Sequence, residues 1–105
     1  QVAHMLYTGE SSGRKDEHGA LKWFRIAAEA GHPVAQRRMG SLYLSGRVVR
    51  RQPDMAYAWF TLAAEGGDAR AREARDDIGG QLSRNQRERA RRHIADLRAR
   101  VATAR

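Results

Sequence analysis

Two nine-residue stretches of this chain are near copies, Trp23-Phe24-Arg25-Ile26-Ala27-Ala28-Glu29-Ala30-Gly31 and Trp59-Phe60-Thr61-Leu62-Ala63-Ala64-Glu65-Gly66-Gly67, in register 36 residues apart. A period of this size, with an aromatic pair, an Ala-Ala step and a closing Gly, points to a helical repeat array, in which each unit buries its apolar face by stacking on the next. The work such an array performs is binding. Ala20 precedes Trp23 as Ala56 precedes Trp59, and Asp16 matches Gln52, yet Gly9 and Gly46 stand 37 residues apart. The extra residue of the first copy belongs in a loop, because inside a packed helix it would turn every later side chain off its face. Gly9 to Gly19 and Gly46 to Gln52 are therefore expected to be interhelical loops.

Helix punctuation is dense. Gly31 followed by Pro33 predicts a tight helix-to-helix turn, with Pro in a first turn where its missing N–H costs nothing. Ala35, Met39, Leu42 and Tyr43 then recur at helical spacing up to Gly46, and Pro53 opens a helix whose face is Ala56, Trp59, Phe60 and Ala63. Ala20, Trp23, Phe24 and Ala27 carry the same face in the first copy. Asp68 predicts a cap for a weaker helix through Ala71, Ala74 and Ile78, broken at Gly79-Gly80. Ser83 and Gln86 have capping-box spacing and announce a long helix with a narrow stripe of Ala90, Ile94, Leu97 and Val101. Arg84, Arg87, Arg91, Arg98 and Arg105 populate its other faces, and Glu88/Arg92 and Asp96/Arg100 stand four apart as expected ion pairs. Only Val48-Val49 hints at strand.

The second copy, Ala35-x-x-x-Met39-Gly40-x-x-Tyr43-x-x-Gly46, then Ala56-x-x-Trp59 and Ala63-Ala64-Glu65-x-Gly67, resembles the Sel-one-like repeat, a relative of the tetratricopeptide repeat. The first copy agrees from Ala20-x-x-Trp23 to Gly31-His32. Its opening helix is abridged, with Val2, Ala3 and Leu6 where the family favours Leu, Gly and Tyr, and Val48 replaces the family's second loop glycine. The resemblance implies an all-α fold of antiparallel helix pairs stacked as a right-handed α-α superhelix, and a role as scaffold or adaptor in protein assembly and signalling, often in bacterial envelopes. The expected organisation is one structural domain. Residues 1–68 hold two repeats, and residues 69–105 hold a degenerate helix and a long basic helix that caps the array. Gly40 and Ala56 lack bulk where paired helices approach, while Tyr43 and Trp59 fill the space between pairs.

Chemistry is sparse. The chain has no cysteine, which removes disulfides, thiolate catalysis and Cys-ligated zinc. His4, His18, His32 and His93 show no metal-ligand spacing. Asp76-Asp77 and Asp16-Glu17 are sequence neighbours, set about 100° apart on a helix, so they cannot share an acid/base task. Neither Gly-Gly pair follows a strand, as a phosphate loop would require. No catalytic residue, cofactor or metal is expected, and no run approaches the roughly 18 apolar residues of a membrane span. Gln1 falls inside what the register makes a helix, so a fragment or mature form is expected, with room for a targeting segment upstream. The compartment stays open between cytoplasm and periplasm or envelope.

In the family's geometry the first helix of each pair faces the groove. With Ala35, Met39, Gly40 and Tyr43 in the core, Arg37, Ser41 and Leu44 are expected to line a groove for a protein or peptide, joined by His4 and Tyr7 from one neighbour and Glu73 and Asp77 from the other. Self-association through the exposed N-terminal end is a further expectation. The formal net charge of +8 is uneven, with eleven cations against five anions from residue 69 onward. Eighteen of the twenty cations are Arg, which, with abundant Ala and Gly, suggests a GC-rich bacterial genome as much as selection for guanidinium chemistry. The alternative reading is a binder of nucleic acid or an anionic surface through Arg84, Arg87, Arg91 and Arg92. Against nucleic acid, no aromatic residue lies in 61–105 to stack on bases, and Glu88 and Asp96 interrupt the field.

Overall fold

The computed structural model describes residues 14–104, which form five α-helices and no strand: α1 (Arg14–Glu29), α2 (Pro33–Ser45), α3 (Pro53–Glu65), α4 (Ala69–Gly79) and α5 (Arg84–Ala104). Val2, Ala3, His4, Leu6 and Tyr7 lie outside the described residues. The all-α helical repeat architecture is as the period implied. One boundary differs: the segment from Gly9 to Gly19 was expected to be loop, but α1 already begins at Arg14. No proline interrupts this stretch, and Gly19 has neither a left-handed backbone nor a crowded Cβ site, so nothing there forces a turn.

Both copies close with the same turn. Gly31 at φ 97° and Gly67 at φ 99° adopt the left-handed conformation that favours glycine. His32 N–H reaches back to Ala27 O at 3.1 Å and Gly31 N–H to Ala28 O at 3.0 Å, while Asp68 and Gly67 repeat those bonds to Ala63 O and Ala64 O. These are Schellman turns, and they satisfy carbonyls that a helix end would leave open. The repeat at the level of letters is thus a repeat of hydrogen bonds.

Packing centres on α3, whose faces serve two apolar clusters. The first joins Ala20, Phe24 and Ala28 of α1, Ala35, Met39 and Leu42 of α2, Ala58, Trp59 and Leu62 of α3, and Leu97 of α5. The second joins Ala56, Phe60, Ala63 and Ala64 to Ala71, Ile78 and Leu82. Tyr43 borders both clusters, and Val48 and Val49, bent rather than extended, pack on the first. Each fully buried large apolar side chain is worth about 1.5–3 kcal/mol, so these clusters carry the fold. Gly40 lets α2 and α3 touch: a Cβ there would stand 2.8 Å from the Phe60 ring. Gln36, buried in α2, donates its side-chain amide to Ala28 O at 3.0 Å and so fastens α2 to the end of α1.

Trp23 corrects a second expectation. Its register twin Trp59 is 3% exposed, but Trp23 is 43% exposed and Ile26, one turn on, 52%, against 6% for its twin Leu62. Trp59 and Leu62 are enclosed by α1, α2 and α5. In the first copy it is Ala20 and Phe24 that enter the core, while Trp23 stands on the outer side of α1.

The long helix α5 follows its capping box as expected, with Ser83 N–H donating to Gln86 Oε1 at 2.8 Å and Gln86 N–H to Ser83 Oγ at 3.1 Å. It packs on α3 and α1 rather than on α4. Ala90 and Leu97 are buried, with Ile94 and Val101 half-buried beside them. Asp54 in the first turn of α3 meets Arg89 Nε and His93 Nε2, each at 3.3 Å, and Glu65 at the end of α3 pairs with Arg98. α5 therefore runs in the same direction as α3. Arg100 pairs with Glu29 of α1 at 3.6 Å, and not with Asp96 one turn back.

Candidate protein-interaction surface

The helices divide into two layers. α3 and α1, the second helices of their repeats, carry α5, whereas α2 and α4, the first helices, pack on α3 from another side. α2 and α4 run in one direction and approach each other near both ends. Near the start of both, Arg37 Nε of α2 donates to Asp68 Oδ2 at 3.0 Å, and Asp68 caps α4 by accepting from Ala71 N–H through Oδ1 at 2.9 Å. Near their ends, Leu44 and Ile78 line one cleft of about 190 Å³ with Arg51, Pro53 and Leu82. Arg51 Nε donates to Leu44 O at 3.1 Å and Gln52 N–H to Tyr43 O at 3.0 Å, which anchors the loop that forms the cleft's edge.

The described side chains that the sequence assigned to the groove lie along these two helices. Ser41 on α2 and Glu73 and Asp77 on α4 are exposed. Leu44 is half-buried and packs against the second apolar cluster. Arg37 is the exception, because its guanidinium is already committed to Asp68 and fixes the distance between α2 and α4 rather than projecting toward solvent. His4 and Tyr7 lie outside the described residues. Asp68 itself was missed as part of this surface, since its sequence signal was that of a cap alone. Burial pushes its carboxyl up, but the Ala71 amide, the Arg37 hydrogen bond and charge, and the Arg70 amide outweigh that and hold it below the ordinary value.

The cations expected to form an anionic-partner patch fall on two faces. Arg84, Arg87 and Arg91 line a single open cleft of about 480 Å³ with Glu88. Arg92 follows Arg91 in the chain and so points about 100° away from it. Arg87 Nη2 donates to Gly79 O at 2.7 Å and its Nε to Leu82 O at 3.5 Å, where the carbonyl end of α4 attracts a cation. A further cleft of about 400 Å³ lies at the ends of α3 and α5, lined by Gln36, Leu62, Val101 and the Glu65–Arg98 pair. Among the described residues no three His, Asp or Glu side chains gather as metal ligands would, and no helix is long and apolar enough to cross a membrane.

Helix pairs that stack through repeat-related contacts, with one layer of first helices and one of second helices, define an α-solenoid of the tetratricopeptide type. The Sel1 repeat profile matches residues 1–32 and 33–68, and the chain belongs to that family. Repeats of this family mediate protein–protein interaction. The chain is 37% identical over 82 residues to the chitin synthase regulator SKT5 of Saccharomyces cerevisiae, a match that covers 77% of this chain and 12% of that protein.

Proposed function

We propose that this chain is a non-enzymatic scaffold or adaptor whose protein or peptide partner lies along the shared face of α2 and α4. Ser41, Glu73 and Asp77 supply polar contacts, Leu44 an apolar one, and the Arg37–Asp68 pair holds the two helices at a fixed separation. The observation that carries this reading is the position of α5: it packs on α3 and α1, so the layer of first helices keeps its outer face. The relative named as a regulator of chitin synthase fits an adaptor role, since a regulator works through contact with another protein.

Site-specific photo-crosslinking tests it. A crosslinker placed at Ser41 or Asp77 should give a discrete protein adduct that one placed at Thr103, at the far end of α5, does not. Adducts from Thr103 with none from Ser41 or Asp77 would move the binding surface away from α2 and α4.

A further inference from the structure

Arg84 and Arg87, which share a face of α5 with Arg91, break a rule of helix electrostatics. The first turn of a helix carries a partial positive charge, which disfavours cations, yet Arg84 is the first residue of α5 and Arg87 the fourth. Folding employs Arg87 at the carbonyl end of α4 but makes little use of Arg84 and Arg91. The ion pairs that fasten α5 employ Arg89, Arg98 and Arg100, and Arg84, Arg91 and Arg92 take part in none of the ion pairs among the described residues. Where a local preference is broken without a structural return, the return is sought in binding.

We infer that the Arg84–Arg87–Arg91 stripe docks an acidic α-helical segment of a protein partner. The three arginines follow at steps of three and four residues, so the stripe spans two turns, about 10 Å, and a facing helix with Asp or Glu at the same steps matches that pitch. Guanidinium forks suit carboxylates, and Arg84 and Arg91 have theirs outside the ion pairs of the fold, while Arg87, held by its two carbonyl bonds, adds fixed positive charge between them. Glu88 lies within the same cleft. It opposes a continuous polyanion such as a nucleic acid or an anionic lipid surface, but a helix can present a neutral residue there. No Phe, Trp or Tyr follows Phe60, so bases would find no stacking platform on α5. The inference rests on the chain's being a protein-binding module, and it concerns a surface separate from α2 and α4.

The test is fluorescence anisotropy with a synthetic amphipathic helix bearing Glu at steps of three and four, beside its Gln counterpart, a short duplex DNA and phosphatidylserine vesicles. The acidic peptide should bind, the Gln peptide should not, and affinity should fall with added salt. The double variant Arg84→Glu/Arg91→Glu should weaken binding by on the order of tenfold or more. Its melting temperature should hold or rise, because Glu at the start of α5 suits the helix dipole, so lost binding cannot be blamed on unfolding. The charge-matched control Arg70→Glu/Arg72→Glu on α4 should bind as the parent does. Equal binding by parent and Arg84/Arg91 variant overturns the inference, as does tighter binding of DNA or vesicles through the same arginines. Loss of the peptide on Ser41→Glu alone would place it on α2 and α4, ending this inference while leaving the scaffold reading intact.

Discussion

Arg37 and Asp68 join two consecutive repeats through one carboxylate: Oδ2 receives the Arg37 guanidinium at 3.0 Å while Oδ1 caps α4 through the Ala71 amide at 2.9 Å. One side chain thus both starts a helix and sets its distance from the previous first helix. The charge of that carboxylate is separable from its capping role, because Asn can still cap. Asp68→Asn should cost about 1–2 kcal/mol near neutral pH. Since the folded-state pKa is depressed, the stabilisation is present above the ordinary carboxylate value and is lost as pH falls through the folded one. Melting curves of parent and variant should therefore converge in acid; a constant gap down to pH 2 would assign the effect to geometry instead of charge.

Gly40 poses a contest between two effects. Alanine gains about 1 kcal/mol of helix propensity over glycine, but its methyl would meet the buried Phe60 ring at 2.8 Å, and overpacking costs about 1–3 kcal/mol. Gly40→Ala should come out destabilised, with the loss recovered in part by Phe60→Leu in the same chain. A raised melting temperature for Gly40→Ala alone would mean that the ring yields and the close approach is not required.

The two tryptophans should behave as opposites despite their matching repeat position in sequence. Trp59→Ala leaves a core cavity and should cost about 3–5 kcal/mol, enough to threaten so short an array. Trp23→Ala should cost under about 1 kcal/mol, as surface changes do. In single-tryptophan chains, Trp23 emission should be red-shifted and readily quenched by acrylamide and that of Trp59 blue-shifted and protected. Equal quenching of the two would contradict the asymmetry of their burial.

Leu97 is the most deeply set long side chain on α5, whereas Ile94 is half-buried beside it. Leu97→Asp should unfold the chain outright by burying an unpaired charge, and Ile94→Asp should lower the melting temperature less. Removing residues 83–105 uncovers Trp59 and Leu62 and should give associated, dye-binding material. A soluble, cooperatively melting truncation would show that α5 is dispensable. Exposed pairs such as Glu65–Arg98 should matter little alone, since surface ion pairs contribute about 0–1 kcal/mol.

The sequence spoke clearly wherever structure is local. Pro33 and Pro53 open helices, Gly31 and Gly67 close them, and Asp68 and Ser83 cap them, because each acts on backbone groups within a few residues. It was silent where partners are distant. Nothing adjacent to Arg100 names Glu29, and the local candidate Asp96 was the wrong one. A signal did exist: Glu29 and Glu65 occupy the same repeat position in the last turn of a helix, where an acid opposes the dipole and calls for a cation. Trp23 was misplaced for a related reason, since register reports which residues are alike and not how deeply each is covered. Of the residues assigned to a groove, Ser41, Glu73 and Asp77 are exposed, but the sequence could not show that Arg37 had been claimed by Asp68.

The return of α5 to α1 has a bearing on how the protein is made. A plain array can consolidate unit by unit as it leaves the ribosome, each new helix finding its contacts in what has just emerged. Here Glu29 meets Arg100 only after nearly the whole described chain has been synthesised. Phe24 and Ala28 lack Leu97 as a neighbour until α5 emerges and folds back. Until α5 is in place, the described first repeat lacks part of its apolar cover, which leaves it more open to proteases and to other nascent chains.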